Sequence, residues 1–293
     1  MRDLIAACVQ PPPGGVTTPE HVDDVLGRAA GHVELAVCAE LGTTPYFPLE
    51  TDSRDADTPV LVDGPELAAF GAVARRHGTY LAVGVHLADG RRRYNAAVLL
   101  GPDGKPATGR TSRGGTARDY RKVHLCDVQL PGSSFCETAY FDAGDSYVVW
   151  NTPFGCVGML ICYDRHFPEA WLAVRELGAE IVCVPTTSGM HMEPSFIAEI
   201  QAMSLQQSVY ALVTNRVGVE ELRTSGRRTE FLGGSCITGP FGEILAAAAY
   251  REDEPLVQAW LELEPLERIR IAHQFHEHRR PDTYVAAREE TTA

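Results

Sequence analysis

Lysine is nearly absent from this chain of 293 residues: Lys105 and Lys122 are the only two, and the other 24 of its 26 basic residues are arginine. Positive charge is short overall, because 39 acidic residues leave a formal net charge of −13. A surface of that sign repels phosphate backbones and anionic lipid, so neither nucleic acid nor a membrane is expected as a partner. Cysteine is sparse at eight residues, and no two are spaced Cys-x-x-Cys. Zinc ribbons, thioredoxin-type pairs and a disulfide framework therefore lack support, and a reducing, cytoplasmic compartment fits the usage. Long apolar runs are missing too. The run from Leu4 to Val9 is too short for the core of a secretion signal, and no later one approaches the roughly 18 residues of a membrane span. There is no phosphate loop, no Gly-x-Gly-x-x-Gly after a strand and no Gly-x-Ser-x-Gly, so nucleotide cofactors and α/β-hydrolase serine chemistry have no signal.

What is present is an ordinary globular composition, 44% hydrophobic, in a chain long enough to build a core without metal or disulfide. Apolar runs of strand length alternate with helical periodicity. Strands are expected over 4–9, 34–39, 80–86, 94–100, 147–150, 157–162, 181–184, 211–214, 234–238, 244–248 and 257–263. One helix is capped by Thr18, takes Pro19 first and runs to about residue 30; a second, 67–76, is opened by Asp63-Gly64-Pro65 and closed by Gly78. Others are expected over 169–177 and about 195–208. The rhythm, with hairpin-like pairs among the later strands, reads as an α/β layered fold of mixed sheets. No linker, repeat or low-complexity stretch divides residues 1–293, so one domain is expected. The polar segment 108–118 (TGRTSRGGTAR) has two readings, a mobile loop beside the chemistry or a solvated insertion.

Cys162 lies where the apolar run ending at Ile161 gives way to Tyr163-Asp164-Arg165-His166-Phe167-Pro168-Glu169. A thiol at a strand end facing a helix N-terminus meets a dipole that favours thiolate and amides that receive an oxyanion. Taken alone, a cysteine there is as a rule a small core residue. Cys8, Cys38, Cys156, Cys183 and Cys236 fall inside expected strands, and Cys126 and Cys136 in a loop; all seven read as structural. Lys122 stands out because arginine is used almost everywhere else: a compact ammonium beside a thiol lowers its pKa and stabilises charge on a carbonyl oxygen. Glu40 closes an apolar strand, where desolvation makes an acid a candidate general base, and Glu137 is a second acid among aromatics. By composition alone either is an ordinary strand-end charge. His273, His276 and His278 cluster without a carboxylate or cysteine at ligand spacing, so no metal is expected.

Glu40, Lys122 and Cys162 occur in order within Ala39-Glu40-Leu41, Arg121-Lys122-Val123-His124-Leu125 and Ile161-Cys162-Tyr163-Asp164-Arg165-His166, and here the chain resembles the nitrilase or carbon-nitrogen hydrolase superfamily. The likeness extends through Glu137, Gly178-Ala179-Glu180, 234–243 and Arg279-Arg280-Pro281-Asp282. It implies a four-layer αββα sandwich, paired into a homodimer or higher homo-oligomer, with no metal or organic cofactor. It also implies roles: Cys162 attacks a carbonyl, Glu40 is base and then acid, Lys122 with the Tyr163 amide holds the oxyanion, and Glu137 supports the lysine. The residues after Cys162, and Ala39 through Pro48, are more similar to N-carbamoyl amino acid amidohydrolases than to nitrile-cleaving members. On that likeness the small-molecule substrate meets Tyr163, Arg165, His166 and Thr187. Arg165 is the candidate for a substrate carboxylate, against a structural ion pair with Asp164 or Glu169. Two departures stand out. His166 takes the place of a second arginine, and Thr186-Thr187-Ser188 follows Val184-Pro185 where relatives carry an Asn-Pro-Ser-type segment. A plain amidase, a nitrilase and a catalytically silent binding member of the fold remain alternatives.

Overall fold

The computed structural model describes residues 3–130 and 133–284, so the ends of the domain expected over 1–293 lie outside the described residues. Numbered in chain order, six strands form one sheet in the order β18 (Leu256–Leu261), β1 (Leu4–Val9), β2 (Val33–Cys38), β3 (Tyr80–Asp89), β4 (Arg92–Leu100), β7 (Tyr120–Arg121). Eight form a second, in the order β17 (Ile244–Ala247), β16 (Cys236–Thr238), β13 (Tyr210–Thr214), β12 (Ile181–Pro185), β11 (Cys156–Met159), β10 (Val148–Asn151), β5 (Gly109–Thr111), β6 (Thr116–Ala117). In the first, β1, β2 and β3 are parallel; in the second, β11, β12 and β13 are, and antiparallel strands flank both sets.

Period-two alternation decides the layers. From β1, Leu4, Ala6 and Cys8 enter the core between the sheets, where Leu35, Val37, Ala82 and Leu99 meet Val157, Met159, Ile181, Cys183 and Leu212. The alternate Ala7 and Val9 face outward with Leu81, Val83 and Val85, under α1 (Pro19–Gly27) and α2 (Pro65–His77). On the far side Val182, Val184, Ala211 and Val213 pack under α3 (Pro168–Glu176) and α4 (Phe196–Gln207), chiefly on Trp171, Val174, Phe196 and Ile200. The result is helix, sheet, sheet, helix: an αββα sandwich. Strands buried on both faces lose the polar alternation of an exposed sheet, which is why they read as unbroken apolar runs. Two helices, α5 (Leu266–His273) and α6 (Pro281–Tyr284), follow β18.

Local signals act as their chemistry dictates. Thr18 Oγ1 accepts from His21 N at 3.1 Å, capping α1, which ends at Gly27 rather than near residue 30. Gly78 closes α2 at φ +65°, a left-handed position where a Cβ is strained. Other expectations need correction. The strand expected over 157–162 stops at Met159, and Cys162 begins a short 3-10 turn. Segment 108–118 is an edge hairpin of the eight-stranded sheet, anchored by Arg118 on Asp63 at 2.9 Å, and lines a separate cleft with Asp119 and Ser146 rather than the one at Cys162. Two hairpins went unread, β8 (Asp127–Leu130) with β9 (Ser133–Cys136), and β14 (Val217–Glu221) with β15 (Arg228–Leu232). Cys136 thus ends a strand instead of lying in a loop. Among the described residues no helix is long and apolar enough to cross a membrane, and no group of three His, Cys, Asp or Glu is placed to hold a metal.

Candidate active site

The ends of parallel strands converge at one place. Glu40 follows β2, Cys162 follows β11 and Thr187 follows β12, while Lys122 and Glu137 follow β7 and β9. Ligands of open α/β sheets gather beyond the carboxyl ends of strands, where side chains leave the ladder yet stay fixed by it. Gly84 on β3 permits the closest approach: a Cβ there would stand 2.3 Å from the Ala39 carbonyl oxygen and 2.9 Å from Glu40 Cα.

Glu40, Lys122 and Glu137 are fully buried. Lys122 Nζ stands 2.7 Å from Glu40 Oε1 and 2.7 Å from Glu137 Oε1. Asn95 Nδ2 donates to the same two oxygens, at 2.8 and 3.1 Å, so one ammonium and one amide bridge two carboxylates. Glu137 also accepts from Tyr46 Oη at 2.9 Å and from the Cys126 amide at 2.8 Å. Burial works against the lysine charge, but the Glu137 and Glu40 carboxylates outweigh it and hold its pKa well above the usual value. Burial raises the Glu137 carboxyl against the pull of Lys122, and the neighbouring Glu40 charge adds to the rise. Glu40 Oε2 is buried without a hydrogen-bond partner among the described residues, an acceptor left open.

Cys162 adopts φ +45°, as does Leu41 beside Glu40; few other non-glycine residues among those described have positive φ. Such backbone costs about 1–3 kcal/mol and persists where surroundings over-determine it. Cys162 Sγ lies 3.4 Å from the Thr187 carbonyl and 3.7 Å from Arg165 Nη1. Burial, then the Glu40 charge, push the thiol up to about 12, opposite to the direction expected from the sequence, with Lys122 and Arg165 only partly opposing. A resting neutral thiol makes a proton acceptor a necessity of any attack by sulfur.

Above the thiol opens a cavity of about 480 Å³ lined by Tyr163, Arg165, His166 and Thr187 together with aromatic and apolar side chains, Phe135 and Met192 among them. Arg165 is 1% exposed and pairs with neither Asp164 nor Glu169. Its Nε meets Glu199 Oε2 on α4 at 3.2 Å, and the other Glu199 oxygen takes His166 Nδ1 at 2.6 Å. Asp164 is occupied elsewhere: it accepts from Tyr120 Oη at 2.7 Å, the Ile161 amide at 3.0 Å and the His124 amide at 2.9 Å, tying the turn to both sheets. Thr187 Oγ1 donates to the Glu40 carbonyl at 3.3 Å. Of the eight residues singled out from the sequence, Cys162, Tyr163, Arg165, His166 and Thr187 line this cavity, while Glu40, Lys122 and Glu137 form a fully buried charge cluster tied to it through the Thr187 bond to the Glu40 carbonyl. Missed were Asn95, Glu199, Tyr46 and Cys126, the last of which lines the cavity instead of serving only as filler. Asn95 left a signal, an amide inside the apolar strand run that ends at Leu100; Glu199, on an ordinary helix, left none.

The carbon-nitrogen hydrolase family model matches residues 5–271. The deaminated glutathione amidase of Rattus norvegicus is 31% identical over 234 residues, covering 76% of this chain and 66% of that protein, so the chain spans just under two thirds of that relative's length. The N-carbamoylputrescine amidase of Solanum tuberosum is 30% identical over 230 residues, covering 75% and 72% of the two chains. Among solved structures, a carbon-nitrogen hydrolase from Helicobacter pylori superposes with a TM-score of 0.80 at 25% identity, covering 96% of this chain and 97% of that one.

Proposed function

The chain belongs to the carbon-nitrogen hydrolase family, and on that premise we propose that it is a cysteine-dependent amidohydrolase of small linear substrates bearing a carboxylate, in the first place N-carbamoyl amino acids. The observation that carries the reading is the open Glu40 Oε2 in a cluster with a neutral Cys162 thiol and the buried Lys122 ammonium. Cys162 Sγ attacks the carbonyl carbon while Glu40 takes the thiol proton. Lys122 Nζ and the Tyr163 amide receive the oxyanion, and Glu137 and Asn95 keep the lysine aimed. Glu40 returns its proton to the departing nitrogen, leaving a thioester or, from a carbamoyl group, an S-carbamoyl cysteine. Water then attacks, Glu40 accepts its proton, and the thiol is regenerated. A released carbamate decomposes to carbon dioxide and ammonia.

The far end of the substrate is read from the cavity wall, which among the described residues carries the Arg165 cation and no Asp or Glu. A carboxylate there gains a charge-assisted hydrogen bond, whereas an ammonium meets like charge. That wall disfavours an amine-ended substrate such as the one the potato relative is named for. Likeness to the rat amidase favours a second reading, an amide of a dicarboxylic acid, which uses the same machinery.

The test is ammonia and carbon dioxide release from N-carbamoyl-β-alanine, N-carbamoyl-D- and L-amino acids, N-carbamoylputrescine and simple amides, with Cys162→Ala as control. Equal release of both products from an N-carbamoyl acid is the expected result. Ammonia alone from an amide moves the assignment to the second reading, and turnover by Cys162→Ala overturns both.

A further inference from the structure

Glu199 is a carboxylate that the proposed reaction does not use, yet it holds two residues of the cavity at once, Arg165 Nε at 3.2 Å and His166 Nδ1 at 2.6 Å. It lies 34 residues from Arg165 in sequence and is not itself among the residues lining the cavity, so it reaches a bound molecule only through the pair it grips. The guanidinium is fixed on three sides. Its Nε is on Glu199, its Nη1 is 3.1 Å from the Cys162 carbonyl oxygen, and its face is 5.2 Å from the centre of the Phe196 ring. What is left is Nη2, buried and without a partner among the described residues, on a residue that is 1% exposed. A buried N–H donor kept open beside a cavity is a place for an acceptor, and a planar fork pinned at Nε cannot turn that donor away.

Resting on the amidohydrolase reading above, we infer that Glu199 is a positioning residue that sets the charge selectivity of the site: it aims Arg165 Nη2 at the anionic end of the substrate and offsets part of the arginine's field. Its two effects oppose each other. Aim favours an anion, and the glutamate charge disfavours one. Replacement by glutamine retains hydrogen-bonding capacity and removes the charge, so preference for anions rises. Replacement by alanine releases the fork, so the preference falls. A carboxylate that only fastens α4 to the turn at Cys162 would alter anionic and neutral substrates alike.

The experiment compares N-carbamoyl-β-alanine with its uncharged counterpart propylurea in wild type, Glu199→Gln and Glu199→Ala. The ratio of kcat/KM for the acid over the neutral urea is expected to rise at least threefold in the glutamine variant, through KM, and to fall at least tenfold in the alanine variant. A second readout needs no turnover: alkylation of Cys162 by iodoacetate against iodoacetamide, followed by mass spectrometry of its peptide. That ratio is expected to move in the same two directions, threefold or more each way. Ratios unchanged in both variants, or shifted with the same sign, overturn the inference. If wild type hydrolyses neither compound the substrate reading falls, while alkylation still decides the role of Glu199. Should the alanine variant not fold, a glutamine variant without a raised ratio overturns the inference by itself.

Discussion

At the scale of single residues, the site is a problem of three charges taken out of water. Glu40, Lys122 and Glu137 are all fully buried, and the arrangement holds because one ammonium and one amide share the two carboxylates. Asn95 is the neutral half of that bridge, so Asn95→Asp adds a third carboxyl where a donor stood. The expected outcome is a fall in kcat of about 10- to 100-fold with the acidic limb of the kcat/KM profile moved toward neutral pH, since like charge and a lost donor both raise carboxyl pKa values. A profile that keeps its wild-type limb would remove Asn95 from the charge balance. Cys162 offers a sharper check: with its thiol pushed up to about 12, alkylation by iodoacetamide should climb about tenfold per pH unit from pH 7 to 10 without a plateau. A plateau near pH 7 would mean a resting thiolate. Cys162→Ala should lower ammonia release on the order of a thousandfold or more while leaving the melting temperature within a few degrees.

Elements decide how those residues meet. Gly84 lets β3 pass beneath the end of β2, and Gly84→Ala puts a methyl group against the Ala39 carbonyl and Glu40 Cα. Displacing that strand end is expected to cost about 1–3 kcal/mol of stability, read from denaturant midpoints, and at least tenfold in kcat. On the same strand His86 is 2% exposed, faces Phe47 and Phe141, and among the described residues has no partner at either ring nitrogen. Burial, with Arg93 adding to it, presses its pKa down from 6.5 to about 4. The folded chain therefore binds fewer protons than the unfolded one in that window, and stability present above pH 6.5 is lost as pH falls toward 4, by at most about 3 kcal/mol. His86→Phe should flatten the acid side of the stability profile; an unchanged slope would assign the acid loss elsewhere. Helices and central strands were legible beforehand because their periodicity and caps are local, as at Thr18 and Gly78. The β8–β9 and β14–β15 hairpins were not, since short strands such as Asp127–Leu130 mix polar and apolar residues, and the buried positions of β14 and β15, Val217 and Glu220 on one and Phe231 and Leu232 on the other, follow no alternation.

On the scale of the whole molecule, the thiols form a common reserve of pH sensitivity. Burial raises Cys8 and Cys38 to about 12 as it does Cys162, and raises Cys126, Cys183 and Cys236 further. Unfolded thiols ionise near 9 while these remain protonated, so the native state holds the extra protons and stability falls as pH rises above 9. Each group contributes at most about 1.4 kcal/mol per pH unit there. Melting temperatures should be level from pH 7 to 8.5 and drop steadily from 9 to 11, and a level profile to pH 11 would refute the protonated reserve. The sequence by itself determined the layered α/β plan and the order of its central strands and first four helices, because periodicity and caps are properties of neighbours in the chain, and it singled out Lys122 and Cys162 by their setting and Glu40 and Glu137 through the family motifs. Only the tertiary structure decided that Arg165 answers to Glu199 rather than to Asp164, that Asn95 bridges the two glutamates, that burial raises the Cys162 thiol and that segment 108–118 serves a sheet edge. Those facts depend on burial and on distances between residues 34 to 82 positions apart, and such distances exist only once the two sheets have closed on each other.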